Sequence, residues 1–358
     1  MNFTYSAPVR RRRLLSRTAV KSLTDKNGNV IISLESAEYI IIRRETMKKY
    51  AFGVDIGGTT CKIGFFETNG TLLDKWEITT NKENNGASIL SDVAHSVDNK
   101  LAQEGISKDE VQGIGIGVPG PVKSNGVVNR CVNVGWGVVN VEEELSKLTG
   151  LMVKAGNDAN VAALGEMWQG GAKGSKDVVM VTLGTGVGGG IIVDGKIVAG
   201  FGGAGGEIGH ITVNPDEIEA CNCGQYGCLE QYASATGIVR VAKRKLAKTS
   251  EETSLRGYTE LTAKNVFDEA KAGDEVALGL VDEVCGILGA ELSNIACVVN
   301  PEIFVIGGGV SKAGAILIES IQKHFVESCF HECRNTKFAL AGLGNDAGMY
   351  GCVKMLLD

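Results

Sequence analysis

The chain has 358 residues, 44% of them hydrophobic and 22% charged, enough to bury a large core and to divide into two domains. Its net charge of -6 argues against binding nucleic acid or a membrane surface through a broad basic face. Ten cysteines over this length make no disulfide scaffold, no signal peptide is visible, and no apolar run reaches the length of a membrane span, so free or metal-bound thiols in a reducing cytoplasm are expected.

Residues 1–46 differ from the rest. They hold the basic run Arg10 to Arg13 and end on Ile40-Ile-Ile-Arg-Arg44, without the helical periodicity and caps of a helix-turn-helix domain. They read as a poorly ordered extension. Folding signals become dense after Met47. An apolar strand, 51–55, ends at Asp55 and runs into Gly57-Gly58, a second strand at 62–67, the hairpin signal Asn69-Gly70 and a third strand at 71–80. An amphipathic helix at 89–104 follows, in which His95 is a surface residue. Next come a Gly/Ile/Val strand at 111–118, a helix at 141–149, a short strand at 152–155 and a helix at 159–169.

The first pattern then recurs. A strand at 178–183 enters Gly184-Thr-Gly-Val-Gly-Gly-Gly190, followed by a strand at 191–193, the turn signal Asp194-Gly195 and a strand at 196–199. Two strand–glycine-loop–hairpin units in one chain predict two related α/β halves facing a single cleft. Helical patterns cover 234–248, 262–272 and 275–296. A strand at 303–306 ends on Gly307-Gly308-Gly309, and the last helix spans 348–357.

Three glycine-rich loops after apolar strands free backbone N–H groups for anionic oxygens, which points to nucleotide phosphates. None has the Walker A or dinucleotide-fold pattern. Asp55, at the mouth of the first loop, suits Mg²⁺. Asp158, between a strand and a helix, suits the helix N-cap, a general base for a hydroxyl attacking the γ-phosphate, or both at once. Glu207 and Glu230 suit substrate hydroxyls. His210, Cys221, Cys223 and Cys228 supply the four ligands of a closed zinc site. A second grouping, His324, Cys329, His331 and Cys333, sits in a helix-like stretch without a knuckle glycine and is not read as a metal site. Cys61, Cys131, Cys285, Cys297 and Cys352 read as core or near-core thiols.

Six motifs, in this order, make the chain from Met47 onward resemble the ROK family of sugar kinases and repressors, within it the bacterial glucokinases. They are Asp55-Ile-Gly-Gly-Thr59, Gly117-Val-Pro-Gly120, Gly156-Asn-Asp-Ala-Asn160, Leu183-Gly-Thr-Gly-Val-Gly-Gly-Gly190, Gly206-Glu-Ile-Gly-His210 and Cys221-Asn-Cys-Gly-Gln-Tyr-Gly-Cys-Leu-Glu230. The resemblance implies a two-domain, actin-like (ribonuclease H-like) α/β ATPase fold with an interdomain cleft. A small domain would span 47–161, joined by the C-terminal helix 346–358, and a large domain 162–345 would carry the zinc knuckle. It implies a sugar site of Asn157, Asp158, Glu207, His210 and Glu230, with Asp158 as base and His210 shared between zinc and sugar. The ATP site it implies comprises Asp55, Gly57, Gly58, Thr59, Gly184, Thr185, Gly186, Gly188, Gly307 and Gly308. ATP, Mg²⁺ and a structural Zn²⁺ are the implied cofactors. The implied function is phosphorylation of glucose at its 6-hydroxyl, an entry step of glycolysis, by a cytoplasmic homodimer whose partners are ATP and a hexose. The alternatives are N-acetylmannosamine, N-acetylglucosamine, fructose or mannose as acceptor, polyphosphate as donor, or a sugar-responsive repressor. The extension is a departure: the kinases lack it, and it is too short for the repressors' DNA-binding domain.

Overall fold

The computed structural model describes the backbone of 21–24, 30–33 and 39–42, and residues 47–358 except 130 and 132. The chain divides into two compact units, Met1–Met47 and Lys48–Asp358. In the first, β1 (Lys21–Thr24), β2 (Val30–Ser33) and β3 (Tyr39–Ile42) pair as an antiparallel meander. The runs Val30-Ile-Ile and Ile40-Ile-Ile supply the β-branched residues that such pairing favours. The expectation of a poorly ordered extension otherwise falls on residues outside the described ones.

The second unit starts with an antiparallel hairpin pair, β4 (Tyr50–Ile56), β5 (Thr60–Glu67) and β6 (Leu72–Thr79). After a short α1 (Glu83–Gly86), α2 (Ile89–Glu104) buries Ile89, Leu90, Val93, Ala94, Val97 and Leu101, the stripe a 3.6-residue period requires. Strand β7 (Val111–Val118) returns parallel to β4, and a small ribbon of β8 (Val127–Val128) and β9 (Val139–Asn140) precedes α3 (Val141–Thr149). Parallel pairing of β10 (Val153–Asn157) with β7 completes a five-stranded sheet of order β10-β7-β4-β5-β6.

Helix α4 (Asp158–Gln169) carries the chain to the other sheet, where β11 (Val178–Leu183), β12 (Val187–Val193) and β13 (Lys196–Ile197) repeat the antiparallel triplet. The helices α5 (Glu230–Ala233), α6 (Ala235–Lys248), α7 (Ala263–Lys271) and α8 (Glu275–Val299) follow. Then β14 (Ile303–Gly307), α9 (Ala315–Ser328) and β15 (Lys337–Leu340) add two parallel strands. The order β13-β12-β11-β14-β15 has the topology of the first sheet, so the repeat seen in the sequence extends from the hairpins to whole sheets. Helix α10 (Ala347–Leu357) returns to pack on β4, β7 and α4.

Much of the glycine serves this packing and not a ligand. A Cβ on Gly53 would lie 2.1 Å from the Met349 carbonyl oxygen, and one on Gly115 1.9 Å from that of Cys352. Where α4 crosses α10, a Cβ on Gly165 would lie 2.1 Å from the Ala347 oxygen, and one on Gly351 1.5 Å from the Val161 oxygen. Backbone therefore meets backbone on the inner face of the first sheet. The expected loop 184–190 is likewise shortened: β12 begins at Val187, so Gly188, Gly189 and Gly190 are strand residues. Gly190 is small because Ala159, Asn160 and Ala163 of α4 press on it.

Candidate active site

A cleft of about 1080 Å³ lies between the two sheets and is lined from both. It opens at the strand ends of the repeated hairpins, where ligands of α/β sheets collect. From the first sheet come Asp55, Gly57 and Gly58; from the second Gly184, Gly186, Gly188 and Gly308; from the strand–helix junction Asn157 and Asp158; and from the loops beyond, Glu207, His210 and Glu230. Of the expected nucleotide residues, three do not line it. Thr59 and Thr185 are exposed at turns, and the Thr185 carbonyl accepts a hydrogen bond from the Thr236 hydroxyl at 2.7 Å. Gly307 is buried as the last residue of β14, in register with Thr182.

Asp158 is the first residue of α4 and not its cap. The cap is Asn157, whose side-chain oxygen accepts the Asn160 N–H at 3.1 Å while its amide donates to the Gly120 carbonyl at 3.2 Å. The Asp158 carboxylate is thus free of the capping role and faces the cleft, accepting the Ala159 N–H at 2.8 Å. Burial, and the nearby charge of Glu207, raise its pKa above the ordinary value despite that bond. Asp55 accepts no hydrogen bond among the described residues. Burial first and the charge of Asp158 second push its pKa up to about 6, against an opposing pull from Lys62. Gly348 at the start of α10 makes room for it, since a Cβ there would fall 2.8 Å from the carboxylate carbon.

The segment Gly206–His210 lies flat on β12 because Gly206 and Gly209 present no Cβ to it; one on Gly209 would sit 2.1 Å from the Val187 oxygen. Glu230 reaches the same place from the start of α5, accepting the Val187 N–H at 3.0 Å. A Cβ on Gly186 would overlap that carboxylate at 2.1 Å, so this glycine, expected to approach phosphate, makes space for Glu230.

His210, Cys221, Cys223 and Cys228 bring one ligand atom each to within 4.8 Å of one another. The Cys223 and Cys228 sulfurs are 3.6 Å apart, and Nδ1 of His210 is 4.0 Å from the Cys221 sulfur. A tetrahedral Zn²⁺ with bonds of about 2.3 Å needs sulfur separations of about 3.8 Å, so the set fits the ion. Burial first, then the neighbouring Cys223 and Cys221, push the Cys228 thiol up to about 12. The knuckle is braced from outside as well. Buried Glu217 is held by Arg244, Arg240 and the Tyr232 hydroxyl, which together keep its carboxyl well below the usual range, Arg244 foremost. Nothing in the cysteine spacing pointed to that clamp. At the second grouping, His324 pairs with Asp282 at 2.9 Å, and among the described residues no metal cluster forms there. Cys297, expected in the core, is exposed: it follows Ala296, whose side the helix turns inward.

A smaller cavity of about 280 Å³ adjoins the cleft and shares Gly309 and Lys312 with it. Its walls, Ala235, Ala263, Phe267, Val310 and Ala313 among them, are largely apolar. They come from α6, α7 and the turn after β14, three segments with no local signal in common.

A family model described as the ROK family matches residues 51–358. The chain is 46% identical to the glucokinase of Halalkalibacterium halodurans over 308 residues, 85% of this chain and 93% of that one. It is 37% identical to the Thermotoga maritima glucokinase over 312 residues, 86% and 96% of the two chains. Among solved structures it is similar to a ROK family glucokinase from Streptomyces griseus in complex with glucose and AMPPNP. There the TM-score is 0.67 at 33% identity, covering 86% of this chain and 98% of the other.

Proposed function

The chain belongs to the ROK family and has its actin-like α/β fold, and from that premise we propose that it is a glucokinase, transferring the γ-phosphoryl of ATP to the 6-hydroxyl of glucose. The observation that carries the reading is the meeting in one cleft of Asp158, the Glu207–His210–Glu230 set and the glycine turns of both sheets.

Asn157, Glu207, His210 and Glu230 hold the sugar by its hydroxyls, and Asp158 takes the 6-hydroxyl proton as that oxygen attacks phosphorus. A carboxylate whose burial raises its pKa is a better proton acceptor for this than an exposed one. His210 turns Nδ1 toward Cys221 and the knuckle, which leaves its other ring nitrogen for a sugar hydroxyl. The knuckle residues would hold Zn²⁺, which stiffens the loop beside the sugar and has no open position for chemistry. Asp55, largely desolvated and without a hydrogen-bond donor among the described residues, would hold Mg²⁺, which when bound offsets the charge of the phosphates. The apolar side cavity takes the adenine, with the phosphates running past Gly309 into the cleft. Closure of the two halves excludes water, the competing acceptor. The chain's free thiols suit the cytoplasm, where ATP and glucose meet.

The test is a coupled assay of glucose, mannose, fructose, N-acetylglucosamine and N-acetylmannosamine, each with ATP and with polyphosphate. Glucose with ATP should give the highest kcat/KM. A higher value for another acceptor or for polyphosphate sinks the assignment.

A further inference from the structure

Glu166 lies in α4, wholly buried and away from the cleft lining. A carboxylate in such a place is unfavourable unless hydrogen bonds meet it. Among the described residues, backbone donors do so: Oε2 accepts the Gly171 N–H at 2.7 Å and the Gly342 N–H at 2.8 Å, and Oε1 accepts the Leu343 N–H at 2.9 Å. Glycines make the room. A Cβ on Gly170 would lie 2.0 Å from Oε2, and one on Gly171 2.4 Å from the Leu340 oxygen at the end of β15. Gly342 and Leu343 open a segment, 341–348, that joins the two sheets beside the cleft. At its start Ala341 abuts Gly307, where a Cβ would lie 3.2 Å from that of Ala341. Gly344 and Asn345 then line the cleft, and Asp346 pairs with Lys75 of β6 at 2.7 Å. At its end Gly348 leaves the space that the Asp55 carboxylate fills. Glu207, His210 and Glu230 come from other loops.

We propose that Glu166 is a positioning residue for the donor. By holding the Gly342 and Leu343 N–H groups against α4, it fixes the segment that walls the donor's path and seats Asp55. The inference rests on the reading of ATP as donor. Glu166 touches neither substrate and acts through the backbone it holds. A carboxylate is needed because every group aimed at it is a donor. Glutamine has the same outline with one oxygen and one NH2. Whichever way that amide lies, at least one N–H loses its acceptor and meets another donor. A segment released in this way takes up several positions, and the donor binds to one of them. Its apparent affinity then falls by the fraction of molecules in which that position is occupied, while the sugar loops are left as they were.

The experiment compares Glu166→Gln and Glu166→Asp with wild type in steady-state kinetics, in calorimetric binding of AMPPNP and, separately, of glucose without nucleotide, and in deuterium uptake by peptides spanning 341–346. Glu166→Gln should raise KM for ATP and weaken AMPPNP binding about tenfold, with kcat within about threefold and glucose affinity unchanged, as loss of one buried hydrogen bond predicts. Uptake across 341–346 should quicken in the free variant. Glu166→Asp keeps the charge but draws it back along the side chain, so it should shift the same quantities less, by about threefold. It carries the test if Glu166→Gln does not fold. Leu101→Ala, a cavity in the core under α2, is the control for lost stability: it should lower Tm and leave KM for ATP as in wild type. Wild-type AMPPNP affinity in the Glu166 variants overturns the proposal while the glucokinase reading stands. So does an equal loss of glucose and AMPPNP affinity, which marks a residue that only holds the fold. A wild-type protein that neither binds AMPPNP nor phosphorylates glucose with ATP overturns the functional reading itself, and this inference with it.

Discussion

Replacing Asp55 with asparagine should stabilise the free protein while removing its activity. The carboxyl is largely desolvated, accepts no hydrogen bond among the described residues and feels Asp158, and its pKa stands at about 6 against an ordinary 3.8. A raised folded-state pKa means the unfolded chain gives up its proton first. Below pH 3.8 both states are protonated and the group is neutral in its effect; stability is lost as pH climbs through about 6 and the deficit is constant above that. The gap between 3.8 and about 6, at about 1.4 kcal/mol for each pH unit, comes to about 3 kcal/mol. Asparagine keeps the shape without the charge. At pH 7.5, free of Mg²⁺ and nucleotide, Asp55→Asn should gain up to about 3 kcal/mol, or roughly 6 °C in Tm for a chain of this size. The gain should shrink between pH 6 and pH 4 and vanish at the acid end. Thermal unfolding of both proteins across that range measures it. A variant no more stable than wild type at pH 7.5, or equally favoured at pH 4, would refute the claim that the carboxylate is held in a strained, desolvated state for use.

Asp158→Ala should lower kcat by at least about 1000-fold yet keep glucose binding within a few-fold, as read by coupled assay and calorimetry; near-normal turnover would remove it as the base. The pH profile of wild-type kcat should fall on the acid side at a pH above the ordinary aspartate range, because burial raises the Asp158 pKa. Cys223→Ala should lose zinc by elemental analysis and lower Tm by several degrees, a loss of about 2 kcal/mol or more, and unchanged metal content would reject the ligand set. Ala313→Phe, which fills the side cavity, should raise KM for ATP about tenfold without changing glucose affinity, whereas unchanged KM would put the base elsewhere. Gly351→Ala forces a Cβ to 1.5 Å from the Val161 oxygen and should cost about 3 kcal/mol in urea unfolding; a smaller loss than about 1 kcal/mol would mean that α10 does not press on α4 so closely.

What the sequence by itself determined was local. Helix α2 was readable to its ends because a stripe from Ile89 to Leu101 and the left-handed Gly105 that stops it are near neighbours in the chain. The hairpins were readable because Asn69-Gly70 and Asp194-Gly195 set their own turns, with Asp194 at φ 50° and Gly195 at φ 74°. The four knuckle residues lie within nineteen residues, so their grouping was readable along the chain, and the fold brings their ligand atoms to within 4.8 Å of one another. Tertiary structure decided the rest, where the partner is distant. Gly351 is glycine because of Val161, and Gly186 because of Glu230. Asp158 is freed for the cleft because Asn157 took the cap. Lys62 faces Asp55 across a ladder, and the side cavity is shared among three segments. Turn and helix preferences act over a few bonds and leave their mark on neighbouring residues. Close packing and charge act through space, between residues whose order in the chain carries no trace of the meeting.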